Sequence, residues 1–371
     1  MRVFPKITIY DKYVFKHVLF ATAVAILLFT VVWIAPEMLL NTIKRSISGE
    51  YTLRVAGLVI ICELPLILGK AFPVGLLLGA LFTFDKLSKD SELTIFRAVG
   101  MSFKRIVAPV LVLSFIVTGL CFYTCDKLIP LAEAKKIEIK EKHPTTQYIY
   151  TLKDEHNAPS LAVVVSGFRD KVMYDVIVLD FSQKIYSDVH QLSDIYSAKI
   201  GKYMEDYWEL NDIKHYKISR DGIFTSINHI DSMNILSGLP AKNAYTLMVY
   251  SVKREREMTN AGLRKYISLL KQESMDEEYN YMLNKYFQRF FHPFVCVLLA
   301  IMGTLLGFSK PREQKLIGFT IAIGSIFVYY ITLPFFDLLA EKGVLPPFIT
   351  AILPIAAFLV CVIAFYKSKD L

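Results

Sequence analysis

The hydrophobic positions of the chain fall into six long blocks around a polar middle. A helix that crosses a bilayer needs about 20 predominantly apolar residues. Residues 14–40, 55–84, 106–124, 287–308, 316–339 and 344–366 meet or approach that length. The first block contains the uncharged run VLFATAVAILLFTVVWI at 18–34. That run is longer than the apolar core of a secretory signal, and no small-residue cleavage site follows it. It reads as a retained anchor. The second block is interrupted by Glu63, Pro65, Lys70 and Pro73. Three spans thus precede, and three follow, a polar insert of more than 150 residues.

Inside the insert the period changes. A helical continuation at 126–142 (DKLIPLAEAKKIEIKEK) gives way to short runs rich in Val, Ile and Tyr at 147–152, 161–165, 173–181, 195–203, 206–210, 213–219 and 223–227. These predict strands, punctuated by Asn157-Ala158-Pro159, Gly167, Gly201 and the turn Arg220-Asp221-Gly222. Closely spaced strands without a helical period predict an antiparallel sandwich or jelly roll. Trp208 and the tyrosines are its expected core, with a lipid-facing lining as the alternative. Helix returns at 259–272, where Thr259 or Asn260 can cap and Leu263, Tyr266, Ile267 and Leu270 form one stripe. That stripe is expected to face either the membrane surface or the β-domain. The expected fold class is an α-helical membrane protein with six transmembrane helices and an extracytoplasmic all-β, jelly-roll-like domain inserted between helices 3 and 4. The domains read as 1–126 (helices 1–3), 127–280 (β-domain with flanking helices) and 281–371 (helices 4–6).

Composition agrees: 54% of residues are hydrophobic and 20% charged, against about 45–50% and about 25% in soluble chains. The net charge of +8 is explained by where the basic residues sit. The N-terminal tail, the loops between spans 2 and 3 and between spans 4 and 5, and the C-terminus carry fourteen Lys and Arg, including Lys86, Arg97, Arg105, Lys310 and Arg312. The opposite short loops carry four: Lys44, Arg45, Arg54 and Lys342. The positive-inside rule then puts both termini in the cytoplasm and the insert outside, and nucleic acid is not an expected partner. The five cysteines, Cys62, Cys121, Cys125, Cys296 and Cys361, lie in or beside spans. Cys121 and Cys125, one turn apart, read as buried structural thiols rather than as metal ligands.

The sequence contains no phosphate-binding loop, no Gly-x-Ser-x-Gly elbow, no HExxH and no Cys-x-x-Cys. No catalytic residue, metal or cofactor is expected, and the chain reads as a transport subunit rather than an enzyme. Charges within spans are costly and mark functional candidates. Glu63 and Lys70 lie two turns apart on one face. Either they form an internal pair, or Glu63 lies at the outer leaflet, or Lys70 faces a polar cavity that meets an anionic substrate. Lys44 and Arg45 break the positive-inside trend, as an anion-binding rim would.

The loop LSKDSELTIFRAVGMS at 87–102 is the most informative stretch. Asp90 or Ser91 can cap a short helix there, Asp90 and Glu92 suit its N-terminal dipole, and Gly100 can end it. Leu93, Phe96 and Val99 or Gly100 form one apolar face. On a helix outside the membrane such a face needs a partner, and a groove in a soluble protein fits. A helix resting on lipid headgroups is the alternative.

That loop, SELTIFRAVGMS at 91–102, resembles the signature of the LptF/LptG (YjgP/YjgQ) permeases of lipopolysaccharide export. Pro65-x7-Pro73 followed by VGLLLGAL (74–81) resembles their span 2. YSAKIG (196–201) with YWELND (207–212) resembles a strand pair of their periplasmic domain, and KGVLPPFITAILP (342–354) resembles their lead-in to span 6. The opening IYDKYV (9–14) and the double proline lean toward the LptG side of the family. The resemblance implies a heterodimer with a second LptF/LptG-type permease and a cytoplasmic ABC ATPase dimer (LptB-like) that hydrolyses ATP. It also implies a cavity taking lipopolysaccharide from the inner membrane, and a periplasmic bridge protein (LptC-like) receiving it. Glu92 matches the family's coupling-helix glutamate, on a helix shared with Leu93, Phe96, Arg97 and Gly100. Lys44 and Arg45 fall where basic residues of span 1 face lipid phosphates in one paralogue, and Lys70 matches no family charge. Each methylene drawn out of a bilayer costs about 0.8 kcal/mol, a load that calls for ATP. Two other readings stay open: a mechanical ABC permease without lipid passage, and a membrane-anchored binding or scaffold protein.

Overall fold

The computed structural model describes residues 8–34, 38–48, 52–140, 148–153, 158–169, 171–181, 183–186, 189–219, 222–251, 253–308 and 316–368. Arg220 and Asp221 of the expected turn, and Lys310, Arg312 and Lys315, lie outside the described residues. The chain divides into two compact units, residues 1–140 with 255–371, and residues 141–254.

The first unit is helical. It opens with α1 (Ile9–Ile34), the short amphipathic α2 (Met38–Ile47) and α3 (Leu53–Lys89). The seven-residue α4 (Glu92–Ala98) precedes α5 (Phe103–Tyr123), which runs through a π turn at Thr124–Leu128 into α6 (Ile129–Lys140). The chain then builds the second unit, which ends in α7 (Leu239–Ser251), and returns through a 3-10 turn at Glu255–Glu257. There follow α8 (Asn260–Gln272), α9 (Asp276–Phe291), a 3-10 turn at His292–Phe294, α10 (Val295–Gly307), α11 (Leu316–Glu341) and α12 (Pro347–Ser368). Six helical stretches are long and apolar enough to cross a membrane: Ile9–Val32, Leu53–Lys89, Phe103–Ile139, Asp276–Gly307, Gly318–Glu341 and Pro347–Lys367. Each overlaps one of the six blocks read from the sequence, and the second and third contain theirs whole. The stretches 127–140 and 255–280, grouped with the insert in the sequence reading, pack in this helical unit.

Glycines set the packing around α3. A methyl group added at Gly79 would overlap the α1 backbone at Thr22, and one at Gly75 would meet Ile26. From the other side, Gly303 and Gly307 bring α10 against the carbonyls of Leu77 and Leu81. Both pairs have the small-x-x-x-small spacing that lets membrane helices approach closely. Adjacent leucines of α3 therefore serve two cores. Leu76 joins Val14, Val18, Phe84, Ile106 and Val110, while Leu77 joins Leu299, Met302, Ala322, Tyr329 and Phe358.

Polar groups fasten the last spans. Asp337 of α11 accepts hydrogen bonds from Asn284 Nδ2 (2.8 Å) and Gln288 Nε2 (2.7 Å) of α9, and pairs with Lys285. The Asn284 amide oxygen in turn accepts from Thr350 Oγ1 of α12 at 3.0 Å. Asn284 and Thr350 are both fully buried. Thr259 caps α8 as its sequence predicts, accepting from Gly262 N at 3.2 Å. The stripe Leu263, Tyr266, Ile267 and Leu270 is buried against α9, and Tyr266 donates to Glu278 at 2.6 Å.

The second unit contains β1 (Tyr148–Lys153), β2 (Pro159–Arg169), β3 (Val172–Asp180), β4 (Gln183–Tyr186), β5 (Val189–Gln191), β6 (Asp194–Tyr203), β7 (Tyr207–Ile218) and β8 (Phe224–Ser237). Six strands form one antiparallel sheet in the order β1-β2-β3-β6-β7-β8, and β4-β5 is a separate hairpin. The sequence predicts two strands where β7 is continuous. The reason is Asp212, which at a φ of 56° leaves the ladder for one position without shifting its register. Asp175 of β3 has a φ of 50°, and the pairing steps over Ser166, Asp175, Lys199, Asp212 and Asp231 alike. A crease thus crosses the sheet, and Met173 and Val176, three apart, both point inward, fully buried. On the crease Lys199 pairs with Asp212 at 2.8 Å and holds that carboxyl below the usual carboxylate range. Trp208 is fully buried and donates Nε1–H to Ala241 O of α7 at 3.0 Å. Tyr148, Tyr150 and Tyr203 share this core, whereas Tyr174 is exposed.

Candidate functional site

The loop between α3 and α5 folds as its residues dictate. Gly100, at a φ of 85°, ends α4 in a Schellman turn: its N–H bonds to Arg97 O (2.9 Å) and that of Met101 to Phe96 O (3.1 Å). Ser91 holds the N-cap position but at a φ of 59°, and its side chain makes no cap bond. Two left-handed residues therefore turn the chain sharply at both ends of α4.

The expected apolar face is used within the chain itself. Leu93 is 3% exposed and belongs to the core of Val14, Val18 and Phe84. Phe96 packs on the same core and meets the Tyr10 ring edge-on, centroids 4.7 Å apart. Arg97 is exposed with its guanidinium 5.9 Å from the Phe308 ring centre. The apolar groups α4 leaves outside are Ile95 and Val99, 58% and 78% exposed. With Glu92 they form an i, i+3, i+7 stripe, so an acidic group and two aliphatic groups share the outward face. The Glu92 carboxylate accepts a hydrogen bond from Tyr13 OH of α1 at 3.0 Å. Beside it Asp11 of α1 pairs with Arg105 of α5 at 2.6 Å, and Tyr10 OH donates to Ile106 O at 2.8 Å.

The basic candidates do not share one rim. Lys44 is exposed and Arg45 half-buried on α2, at the opposite end of the unit from α4. Lys70 is half-buried and lies 17 residues into α3, about 26 Å along its axis from the α2 end. Its carbonyl accepts from Tyr330 OH of α11 at 3.2 Å. The pairing of Glu63 with Lys70 is corrected by the structure. Glu63 pairs with Lys136 of α6, which also bonds Glu133 at 2.9 Å. A span-2 acid is thus neutralised by the helical extension of span 3. Among the described residues no group of three or more His, Cys, Asp or Glu is arranged to hold a metal ion.

A six-span helical unit, an antiparallel sheet inserted after its third span and a short capped helix between spans 2 and 3 together define the class. The family of lipopolysaccharide export system permeases LptF/LptG matches residues 12–368. The chain belongs to this family. Two relatives extend over nearly all of the permease. Lipopolysaccharide export system permease protein LptG of Haemophilus influenzae is 24% identical over 367 residues, covering 95% of this chain and 96% of that one. The protein of the same name from Escherichia coli is 22% identical over 359 residues, covering 94% and 95%. The chain is thus a multi-pass inner-membrane permease subunit of a lipopolysaccharide transporter and not itself an enzyme.

Several contacts of this permease were not legible beforehand. Tyr13 meets Glu92 across 79 residues of sequence, a pairing no local pattern encodes. Asp337 stood inside a block read only for its hydropathy, and its position in an apolar helix was the available signal. Lys136 lay in the extension of span 3, where the charge-rich sequence hid its partner.

Proposed function

We propose that this permease is the LptG-side subunit of an ABC-type exporter, driven at α4 by a separate cytoplasmic ATPase dimer. The outward stripe of Glu92, Ile95 and Val99 carries the reading. An ATPase groove with a cation facing Glu92 and an apolar floor under Ile95 and Val99 would complement it. Arg97 borders that stripe, while Leu93, Phe96 and Gly100 fix the helix on its own core and set its end. The fourteen Lys and Arg counted along the sequence in the two tails and in the loops between spans 2 and 3 and between spans 4 and 5 support a cytoplasmic location for α4 and both termini, and a periplasmic one for the β-domain. The names of the two relatives support the LptG side.

On this reading the spans form, with a second LptF/LptG-type permease, a cavity that takes lipopolysaccharide from the inner membrane. Lys44 and Arg45 meet its phosphates at the outer end of span 1, and Lys70 serves as a deeper cation. The β-domain passes the lipid to a periplasmic bridge protein of the LptC kind.

Co-purification from native membranes tests the reading, comparing wild type with Glu92→Ala and identifying bound proteins by mass spectrometry. An ATPase and a second six-span permease are expected with wild type, and the ATPase is expected to be lost with the variant. Absence of any ATPase from the wild-type preparation would favour a membrane-anchored scaffold instead.

A further inference from the structure

The docking helix is not fastened evenly to the bundle. Its carboxylate is held by Tyr13 OH at 3.0 Å and its Phe96 ring stands against Tyr10 at 4.7 Å, both residues belonging to the first turns of α1. Leu93 is buried in the cluster that contains Val14 and Val18 of the same helix. Asp11, between the two tyrosines, is locked to Arg105 at the start of α5. Toward α10 the attachments are slighter: the Arg97 guanidinium over the Phe308 ring at 5.9 Å, and Ser88 Oγ, just before α4, donating to Gly307 O at 3.1 Å. With left-handed residues at both of its ends, α4 is a short rigid piece cornered off from α3 and α5 and bonded sideways to α1.

α1 is well built to carry a displacement. It has 26 residues without an internal proline, a rod of about 39 Å. It lies in close contact with α3 at Gly75 and Gly79, so that separating the two helices would lose close packing. The next described element along the chain is α2, which carries Lys44 and Arg45.

We infer that Tyr13 is a positioning residue that ties the docking glutamate to span 1, so that force received at Glu92 is delivered along α1 to the opposite end of the bundle. The inference rests on the reading of α4 as the ATPase-docking helix. Without the hydroxyl, Glu92 still presents its charge to the ATPase, but α4 holds α1 only through the apolar contacts of Leu93 and Phe96 and draws it less closely. Docking is therefore kept while the polar part of the transmission is removed.

The test uses the assembled complex purified from native membranes, returned to nanodiscs with lipopolysaccharide as the probe. Tyr13→Phe keeps the ring and its edge-on contact with His17 at 4.5 Å, so the helix is preserved. Tyr13→Phe is expected to retain the ATPase and its ATP hydrolysis, while lipopolysaccharide extracted per ATP hydrolysed falls about three- to tenfold, within the range for one lost hydrogen bond of ordinary net strength. An unchanged extraction-to-hydrolysis ratio in Tyr13→Phe overturns the inference and leaves the docking reading intact. Loss of the ATPase from Tyr13→Phe also overturns it, making Tyr13 part of the docking surface. Recovery of no ATPase with wild type overturns the docking reading and this inference with it.

Discussion

The helices around α3 and the last two spans are held by opposite means. Around α3 itself, α1 and α10 approach through glycines, backbone against backbone, with aliphatic side chains filling the flanks. The later spans α11 and α12 are instead pinned to α9 by a knot of Asn284, Lys285, Gln288, Asp337 and Thr350. Lipid tails are as apolar as leucine, so burial alone does not hold helices together in a bilayer. Close packing and hydrogen bonds are the available substitutes, and this unit uses one for each half. The difference has a structural correlate: α11 is the least covered of the six spans, with Phe327, Val328, Ile331, Phe335 and Leu338 exposed. A polar knot fixes one point on a helix and leaves the rest of its surface open, whereas glycine packing commits a whole face.

The sharpest way to break the contrast is Gly303→Leu, which drives a side chain into the Leu77 carbonyl. Loss of most folded protein is expected, since overpacking against backbone that cannot yield exceeds the usual ~1–3 kcal/mol. Gly57, with nothing within 4 Å of an added methyl, is the control and should accept Ala. Size-exclusion yield and the thermal midpoint in detergent report both. Asp337→Ala comes next, leaving Lys285 unpaired and the Asn284 and Gln288 amides without their acceptor. A loss of about 2 kcal/mol is expected, below the ~3–5 kcal/mol of fully buried pairs because both partners keep some exposure. A thermal midpoint equal to wild type would mean that the knot does not hold α11. Thr350→Val keeps the shape and removes the bond to Asn284 together with the hydroxyl's local bonds to Pro346 O and Pro347 O, so about 1 kcal/mol is expected from the same measurement. An effect matching that of Asp337→Ala would show that the knot acts as one unit and cannot be divided.

How far the sequence reached follows from the same physics. Six spans were legible because each needs a run of apolar residues, and hydropathy is read along the chain. The first eleven residues of α9 escaped, since Asp276, Glu277, Glu278, Asn280, Asn284 and Lys285 lower the hydropathy of a helix continuous into span 4. α7 escaped because its buried stripe includes Ala241 and Ala244, too small to mark a period. The ladder of β8 extends ten residues beyond the strand expected, through polar positions suited to a sheet edge. At the candidate site the apolar stripe of α4 was legible but its partner was not. Leu93 and Phe96 are covered by α1, and the free face belongs to Ile95 and Val99. Periodicity shows that a face must be covered, but which neighbour covers it depends on contacts far apart in sequence. The same limit left Lys70, on the same helix, as one partner offered to Glu63, when Lys136 reaches it from another.

The π turn at Thr124–Leu128 makes α6 dependent on a count of residues. Each residue of an α-helix advances the side chains by about 100°, and a π turn is a local surplus in an otherwise regular helix. Removing one residue from 124–128 and letting the turn close to α would rotate everything beyond it by that angle. Lys136 would swing away from Glu63, and Glu133 away from Arg256, now 3.8 Å distant. Substitutions in this turn that keep its length should be absorbed, while a single-residue deletion should rearrange the extension as a whole. Length, more than residue identity, is then what natural variation should preserve between Tyr123 and Ile129.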